Sequence, residues 1–591
     1  MSSPSPVEVY TTSNVFLDAL VEAGIKRAFV NLGSDHPALL EAFAHRKKYG
    51  LDSLEIMVGL SAAQGYAQVT GKPAAVIVHV DCGTQALAGA VHNVSTCRTP
   101  VLIYAGASPY TQDGELAGSR NEFIHWLQNA VDQPQILRQY MRHVGEIRSG
   151  KNTKQVVNRA LQFAKSEPMG PVYVWGQREA TEEHIDSSSV PKVRKDVWSP
   201  VELSPLNESS VKRIADALLR AKKPLIITSY LGRNPLAVDA LTKFVDLTAI
   251  PVFQPTLSTV NLPFDHPSHV GVAFGGRWEV VEEADCILII DSDVPWIPLH
   301  TKPREDAEVF HLDVDPLKER MAFAAYPALL RAKVDAATAL SQLHSYISSS
   351  SSFSASKSAI DARRAELVAK HQAATKGLLK LEELPKDDVM TSSFIVGAYR
   401  RIAEEAQVKS LVCNEAISNV WNHIIPKRAN SLISSGASSL GWALGAAIGA
   451  SQGSHDFPSP SSESDLVTVF VGDGSYIFGV PSAAFWMARR YETPFLTVVF
   501  NNGGWKSPKL SLLGVHPTGL GATGQTSDLN VTFGPSDSLN PDYGAIAAAA
   551  GGAWFEKVKK ASALEGVLRE AIRVVREEKR CAVVDCWLTR F

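Results

Sequence analysis

The sequence predicts an α/β protein built from three doubly wound parallel-sheet domains. Near-continuous apolar runs of strand length, such as PAAVIVHVD and LVTVFV, alternate with segments of helical length and composition along most of the chain. Strands that are apolar on both faces are typical of parallel sheets covered by helices on both sides. Serine-rich polar stretches separate three such blocks, so the 591 residues divide into domains of ordinary size.

The domain boundaries follow from these polar stretches. We expect an N-terminal domain over residues 1–188, a central domain over 200–345, a linker over 346–384 and a C-terminal domain over 385–591. The linker includes a low-complexity serine run, YISSSSSFSASKS. The central block has no GxGxxG turn after a strand, so nothing in its residues requires a bound dinucleotide.

Composition and charge exclude several functional classes. The chain is 45% hydrophobic and 20% charged with a net charge of -3, which is typical of a soluble globular protein and gives no basic surface for nucleic acid. The longest run of small apolar residues, LGWALGAAIGA, is too short and too rich in glycine to span a membrane. The N-terminus has no signal or presequence pattern, so we expect a cytoplasmic protein. Six scattered cysteines predict reduced thiols rather than zinc ligands or disulfides.

Two strands in the last third of the chain are predicted to end at one crevice. LVTVFV and FLTVVF flank the helical segment SAAFWMARRYE, which makes a β-α-β unit. The right-handed crossover of such a unit joins parallel neighbours, so both strands end at the same edge of the sheet, where ligands bind. Asp473 follows the first strand, and Asn501 and Asn502 follow the second. Carboxylate, amide and main-chain oxygens are ligands that Mg²⁺ accepts beside phosphate oxygens.

The glycines around Asp473 complete the predicted site. Gly472 and Gly474 would let backbone N–H groups approach a diphosphate, which the N-terminus of a following helix also favours. GDG alone is a common turn and NNGG alone is an ordinary loop. Because both follow buried strands and are separated by one crossover helix, their combination predicts a site for a metal ion and a diphosphate.

The stretch over residues 472–505 resembles the cofactor signature of thiamine diphosphate enzymes, in which GDG is followed by NN after one crossover helix. The order of the three blocks, the segment 61–93 and the segment 541–552 extend the resemblance over nearly the whole chain. They match the group that contains acetolactate synthase, benzoylformate decarboxylase and benzaldehyde lyase. The resemblance implies thiamine diphosphate and Mg²⁺ as cofactors. It implies metal binding by Asp473, Asn502 and the Gly504 carbonyl, and cofactor contacts from Gly472, Gly474, Ser475 and Trp505.

A second segment, SSGASSLGWALGAAIGA, is similar to the part of these enzymes that bends the cofactor into a V shape. The resemblance implies that Leu440 is the apolar side chain beneath the cofactor and that the Ser438 carbonyl accepts a hydrogen bond from it. Ala416 and Ser418 are implied to lie near the diphosphate. In this family the cofactor is bound between two subunits, which implies a homodimer or homotetramer. From the residues alone, the run of small side chains is also what any closely packed helix needs.

The resemblance fails at one catalytic position. These enzymes use a glutamate that protonates the pyrimidine ring of the cofactor, and burial in an apolar niche would raise its pKa. Counting back from Gly65 places that glutamate at position 56, where this chain has Ile56. Glu55 is adjacent, but a shift of one residue changes the direction of a side chain. Glu55 serves if the chain bulges locally; otherwise the chain is a shortened variant with little activity, or an enzyme that works without this carboxylate.

The loop after the first predicted strand, NLGSDHP, supplies further candidates. His36 near the cofactor could move a proton or bind a substrate carboxylate or carbonyl. For Asp35, the structural alternative is to cap the helix that Pro37 begins. Gln85 is a second pocket candidate, and Trp505 with the segment after it is expected to form a wall or lid.

These observations predict a Mg²⁺ and thiamine diphosphate-dependent 2-oxoacid decarboxylase or carboligase of the acetolactate synthase type. Its partner would be a small 2-oxoacid or aldehyde substrate, with neither nucleic acid nor membrane. One alternative is a lyase of 2-hydroxy ketones or 2-hydroxyacyl-CoA. An alternative of another class is a cofactor-binding protein with lost or weak catalysis, which Ile56 favours. The residues do not name the donor or acceptor substrate.

Overall fold

The computed structural model describes residues 9–50, 55–57, 59–273, 275–416, 420–458 and 464–591. These residues form three sheets of six strands each, and the strands within each sheet are parallel. Helices connect the strands, which confirms the predicted α/β class with three parallel-sheet domains.

The chain divides into two compact units. One comprises the residues up to Glu202 together with Ser435–Ser439 and Gly449–Asp456. The other comprises Leu203–Ser434, Leu440–Ile448 and the residues from Phe457 onward.

The first sheet has the strand order β2-β1-β3-β4-β6-β5. Its strands are β1 (Arg27–Asn31), β2 (Glu55–Met57), β3 (Ala74–Val78), β4 (Val101–Ala107), β5 (Val144–Glu146) and β6 (Val172–Gln177). Its helices are α1 (Thr12–Glu22), α2 (Pro37–Lys48), α3 (Leu60–Thr70), α4 (Val80–Ala86), α5 (Ala88–Thr96), α6 (Ile124–Leu127), α7 (Thr153–Lys165) and α8 (Arg178–Thr181). Strands β3 and β4 are buried along their whole length, as their uninterrupted apolar sequences require.

The second sheet has the order β12-β11-β10-β7-β8-β9. Its strands are β7 (Pro224–Thr228), β8 (Val252–Pro255), β9 (His269–Ala273), β10 (Cys286–Ile290), β11 (Glu308–Asp313) and β12 (Leu330–Lys333). Its helices are α9 (Glu208–Arg220), α10 (Pro235–Thr248), α11 (Glu279–Glu282) and α12 (Ala336–Ser349). Strands β7 and β10 are fully buried at its centre.

The serine-rich stretch predicted as part of a linker is helical. Helix α13 (Ser351–Leu381) begins after Ser350, whose hydroxyl accepts the Ser352 N–H. Most of the residues after its first turns are strong helix formers such as alanine, lysine and leucine, and these outweigh the serines. The Arg363 guanidinium donates to the Thr248 and Ala249 carbonyls, both at 2.9 Å, and so holds α13 against the end of α10.

The third sheet has the order β14-β13-β15-β16-β18-β17. Its strands are β13 (Ser410–Glu415), β14 (Leu432–Ser434), β15 (Leu466–Gly472), β16 (Leu496–Asn501), β17 (Trp554–Val558) and β18 (Ala582–Trp587). Its helices are α14 (Ser392–Glu405), α15 (Trp421–Ile424), α16 (Ala443–Asp456), α17 (Asp473–Phe478), α18 (Pro481–Arg490), α19 (Lys506–Val515), α20 (Leu520–Thr523), α21 (Tyr543–Gly551) and α22 (Ala561–Glu577).

The structure also bears on the predictions about the cysteines and about membrane-spanning segments. All six cysteines are free thiols, and five of them are buried, as their scattered spacing predicts. Within the described ranges, no helix is both long enough and apolar enough to cross a lipid bilayer.

Candidate functional site

Asp473 and the loop after β16 lie together at the carboxyl edge of the third sheet. Strands β15 and β16 are parallel neighbours, with Gly472 beside Phe500. The Asp473 side chain is buried, and its Oδ2 accepts N–H hydrogen bonds from Asn502 at 3.0 Å, Gly503 at 2.7 Å and Gly504 at 3.0 Å. Its Oδ1 accepts the N–H of Gly474 at 2.8 Å. The two strand ends that the sequence pairs are therefore joined through one carboxylate.

The electrostatics of this edge favour a bound cation. Burial raises the pKa of Asp473 to about 6, although the four N–H groups act in the opposite direction. The side-chain oxygen Oδ1 of Asn502 is buried and has no hydrogen-bond partner. An acceptor left unpaired in the interior is costly, and a metal ion would satisfy it. The donor set therefore fits an ion such as Mg²⁺, which accepts carboxylate, amide and carbonyl oxygens.

A different kind of metal centre is not found here. In the part of the chain that the structure describes, no three His, Cys, Asp or Glu side chains cluster as ligands of one ion. A cation at this edge would need oxygens from the backbone and from a bound phosphate in addition to Asp473 and Asn502.

Two of the glycines are required by close packing. A Cβ on Gly474 would lie 2.3 Å from Nε1 of Trp505, so the indole ring occupies the space beside the start of α17. Gly504 has φ +152°, and a Cβ there would lie 2.3 Å from the carbonyl oxygen of Val531. Gly472 differs, because a Cβ there would meet no atom within 4 Å. Open space beside Gly472 leaves its backbone accessible.

Two predicted cofactor contacts flank these glycines. Ser475 is buried in α17, one residue after Gly474. The Trp505 indole N–H is buried without a hydrogen-bond partner, and its ring lies 4.9 Å from that of Phe533. Trp505 therefore packs between the start of α17 and Phe533 at the carboxyl edge of the third sheet.

A buried polar network supports the loop from behind, and sequence analysis did not find it. The Asn501 amide donates to Asp585 Oδ1 at 2.9 Å, and the Trp587 indole donates to Asp585 Oδ2 at 2.9 Å. Asn540 in turn donates to the Asn501 Oδ1 at 3.2 Å. Asp585 is an isolated acidic residue in the run CAVVDCWL, so only its place in β18 beside β16 connects it with the site.

The predicted residues of the second segment have the following positions. Leu440 is 44% exposed although it is a large apolar residue. Ala416 directly follows β13 and is partly buried. The Ser438 hydroxyl lies 3.4 Å from the Nε2 of His92, and both belong to the first unit. Ser418 lies outside the described residues.

The N-terminal domain contains a buried cluster of acid and imidazole groups. The Asp35 carboxylate is 2.5 Å from the His79 Nδ1 and accepts the Val80 N–H at 3.2 Å. The prediction that Asp35 caps α2 is wrong, because the residue before the helix is His36 and the Asp35 side chain turns inward to His79. Pro37 does begin the helix.

The surroundings of His36 and His79 shift their pKa values in opposite directions. His36 is buried, its Nδ1 accepts the Gly33 N–H at 3.2 Å, and burial lowers its pKa. His79 is partly exposed, and its hydrogen bond to Asp35 raises its pKa. His79 therefore holds a proton to higher pH than His36 does. Its position at the end of the buried strand β3 is the signal that could have identified it from the sequence.

The remaining candidates are Gln85, which lies on the surface, and positions 55 and 56, for which the sheet gives the strand register. Gln85 is exposed in α4 and donates to Asp81 Oδ2 at 3.4 Å. Glu55 is the register partner of Arg27 in the sheet, and Ile56 is that of Ala28. The predicted lid begins with α19, none of whose residues is buried.

Comparison with known proteins identifies the family. Residues 10–136 match the N-terminal TPP binding domain of thiamine pyrophosphate enzymes, 211–343 match the central domain, and 416–586 match the C-terminal TPP binding domain. These matches cover more than two thirds of the chain. The chain therefore belongs to the thiamine pyrophosphate enzymes, whose cofactor is also called thiamine diphosphate.

Relatives and solved structures agree with this assignment. The chain is 24% identical over 483 residues to a probable 2-ketoarginine decarboxylase of Pseudomonas aeruginosa, covering 78% of this chain and 76% of the relative. It is 24% identical over 515 residues to a benzoylformate decarboxylase of the same organism, covering 83% and 86%. The fold matches a thiamine diphosphate-dependent 4-hydroxybenzoylformate decarboxylase of Rhodococcus jostii with a TM-score of 0.74, at 18% identity and with 98% and 100% covered.

Proposed function

We propose that this chain is a Mg²⁺ and thiamine diphosphate-dependent 2-oxoacid decarboxylase or carboligase. The observation that carries the proposal is the meeting of Asp473 with the loop over 502–504, beside the unpartnered Oδ1 of Asn502. The two curated relatives above are named as decarboxylases of 2-oxoacids, which supports the substrate class.

The cofactor site would be built from few groups. Asp473, the Asn502 amide oxygen and the Gly504 carbonyl would hold Mg²⁺, and the backbone of Gly474 and Ser475 would contact the diphosphate. Leu440 would support the cofactor from beneath. Thiamine diphosphate, when bound, would supply a nucleophilic carbon and an electron sink for the electron pair that stays on the substrate when carbon dioxide leaves. The protein orients these groups and excludes water.

Proton transfer requires a side chain of suitable pKa. His79 is our candidate for this role because Asp35 binds its Nδ1 and raises its pKa, and a side-chain hydrogen bond with Gln128 acts in the same direction. The resemblance to enzymes with shared active sites further supports a homodimer or homotetramer, which sedimentation of the purified protein would test.

A second candidate function is cofactor binding with weak or no catalysis. The register of β2 supports it, because position 56 is held in the sheet beside Ala28 and carries isoleucine instead of glutamate. Loss of a general acid or base costs about 10² to 10⁴ in rate.

Substitutions at positions 55 and 56 separate the two functions. Carbon dioxide release from pyruvate, benzoylformate and longer 2-oxoacids is measured with saturating Mg²⁺ and thiamine diphosphate. Activity that is abolished in Glu55→Gln supports an enzyme that uses Glu55. Activity that appears only in Ile56→Glu supports the weakly catalytic alternative.

Two further results bear on the proposal. Asp473→Ala is the matched control, since it is expected to lose both cofactor binding and turnover. No saturable binding of thiamine diphosphate by the unsubstituted protein would refute the proposed function.

A further inference from the structure

Glu415 lies at the end of β13, and the proposed mechanism gives it no role. Its Oε1 accepts the Gly441 N–H at 2.6 Å, and its Oε2 accepts the Ala443 N–H at 2.8 Å. The N–H of Trp442 also interacts with this carboxylate. One carboxylate therefore binds the Gly441 and Ala443 N–H groups and interacts with the Trp442 N–H between them, directly after Leu440. All these residues belong to the second unit.

The same turn is fixed on its other side by backbone atoms. Gly441 has φ +95°, and a Cβ there would lie 2.4 Å from the Phe478 carbonyl oxygen and 2.8 Å from the Gly479 nitrogen. Phe478 ends α17, the helix that Asp473 begins. The turn is thus pressed between the Glu415 carboxylate and the helix of the proposed diphosphate site.

The tight turn contrasts with the exposure of the residue before it. The Trp442 side chain is fully buried, whereas Leu440 is 44% exposed. The turn fixes the position of an exposed, large apolar side chain, and such a side chain can contact a bound ligand.

We propose that Glu415 is a positioning residue for the cofactor: by fixing residues 441–443 it sets where the Leu440 side chain supports thiamine diphosphate. This inference rests on the proposed function. Burial raises the pKa of Glu415 to about 7, against the opposing effect of these N–H groups. In its ionised form the carboxylate accepts from the turn without presenting a donor, whereas a glutamine would direct its own NH₂ donors at it. The competing explanation is that Glu415 only stabilises the N-terminus of α16.

The test is a double-mutant cycle on the full chain with Glu415→Gln, Leu440→Ala and the double variant. The affinity for thiamine diphosphate is measured at saturating Mg²⁺ by quenching of tryptophan fluorescence, and the near-ultraviolet circular dichroism of the bound cofactor is recorded. We expect Glu415→Gln to weaken binding about 10-fold or more, as is usual for residues that orient a binding group. In the Leu440→Ala background the same change should cost less than about 2-fold, because the two residues act as a unit.

The control is Glu556→Gln, the same substitution at an exposed position of β17 in the same sheet. It should leave the affinity and the dichroism unchanged. If Glu415→Gln does not fold, Glu415→Asp carries the comparison, since it keeps the charge but withdraws the carboxylate from the turn.

The outcomes distinguish the two levels of inference. If the unsubstituted protein binds the cofactor and Glu415→Gln binds it equally well, the positioning role is wrong and the proposed function stands. If Glu415→Gln weakens binding equally with and without the Leu440 side chain, Glu415 serves the fold alone. If the unsubstituted protein does not bind the cofactor, both proposals are overturned.

Discussion

Replacing Asp473 should loosen the loop over 502–504 even in the absence of cofactor. In Asp473→Ala, four backbone N–H groups lose their acceptor: those of Gly474, Asn502, Gly503 and Gly504. A buried donor left unsatisfied costs about 1 to 3 kcal/mol. Because water can enter the space that the carboxylate leaves, we take the lower value, which gives about 3 kcal/mol for the three N–H groups of the loop, those of Asn502, Gly503 and Gly504.

Amide hydrogen exchange measures this cost directly. A loss of about 3 kcal/mol corresponds to a rise of about 150-fold in the opening equilibrium of the loop. Mass spectrometry of peptides over 500–505 should show this rise in Asp473→Ala. Asp473→Asn keeps one side-chain oxygen as an acceptor and should show a much smaller rise. Both variants should lose Mg²⁺-dependent binding of thiamine diphosphate, because the negative ligand is gone.

Asp528→Ala serves as a control, since Asp528 is exposed in the same domain. Equal exchange of the loop amides in the unsubstituted protein and in Asp473→Ala would show that the carboxylate does not hold the loop. Retained cofactor affinity in Asp473→Asn would refute its role as a metal ligand.

Three further predictions follow from other contacts. Gly504→Ala should cost about 2 to 3 kcal/mol and weaken cofactor affinity, because the new Cβ meets the Val531 carbonyl at 2.3 Å in a strained backbone conformation. Arg363→Ala should lower the local stability of α13 by about 2 kcal/mol, seen as faster exchange and proteolysis of that helix. Asp35→Asn should lower the pKa of His79, observed by NMR titration. Because the fold raises the His79 pKa, its stabilisation is present at acid pH and is lost as pH rises through that raised value; the substitution should flatten this dependence.

Control variants and contrary results test these explanations. Gly514→Ala adds a Cβ in open space on α19 and should be neutral or slightly stabilising, so equal losses at both glycines would contradict the steric explanation. Lys357→Ala removes an exposed charge from α13 and should change little. An unchanged His79 titration curve in Asp35→Asn would show that Asp35 does not set the proton affinity of His79.

The edge of the third sheet was predictable because it depends on local pattern and strand order. Asp473 and Asn502 follow two buried apolar runs, and a right-handed crossover brings such ends together. The helical structure of the serine run YISSSSSFSASKS was harder to predict. Helix propensity later in α13 and packing of α13 against α10 outweigh its low-complexity composition.

The pairing of Asp35 with His79 was not accessible from the sequence. The two residues are 44 positions apart. In the sequence, each alone is compatible with an ordinary local role, Asp35 as a helix cap and His79 at a strand end. Asp585 behind Asn501 and Glu415 beneath Gly441 are similar cases, since an isolated carboxylate in an apolar run has no sequence signal of its own.

The sequence by itself determined the alternation of strands and helices, the three-domain order and the two strand ends that carry the cofactor signature, because these depend on periodicity and chain direction. Only the tertiary structure decided which buried side chains meet across strands, since such contacts join residues far apart in the chain. The tertiary structure, and not the sequence, therefore moved the proposed proton-transfer role from His36 to His79. It also showed the Glu415 carboxylate that binds the turn after Leu440.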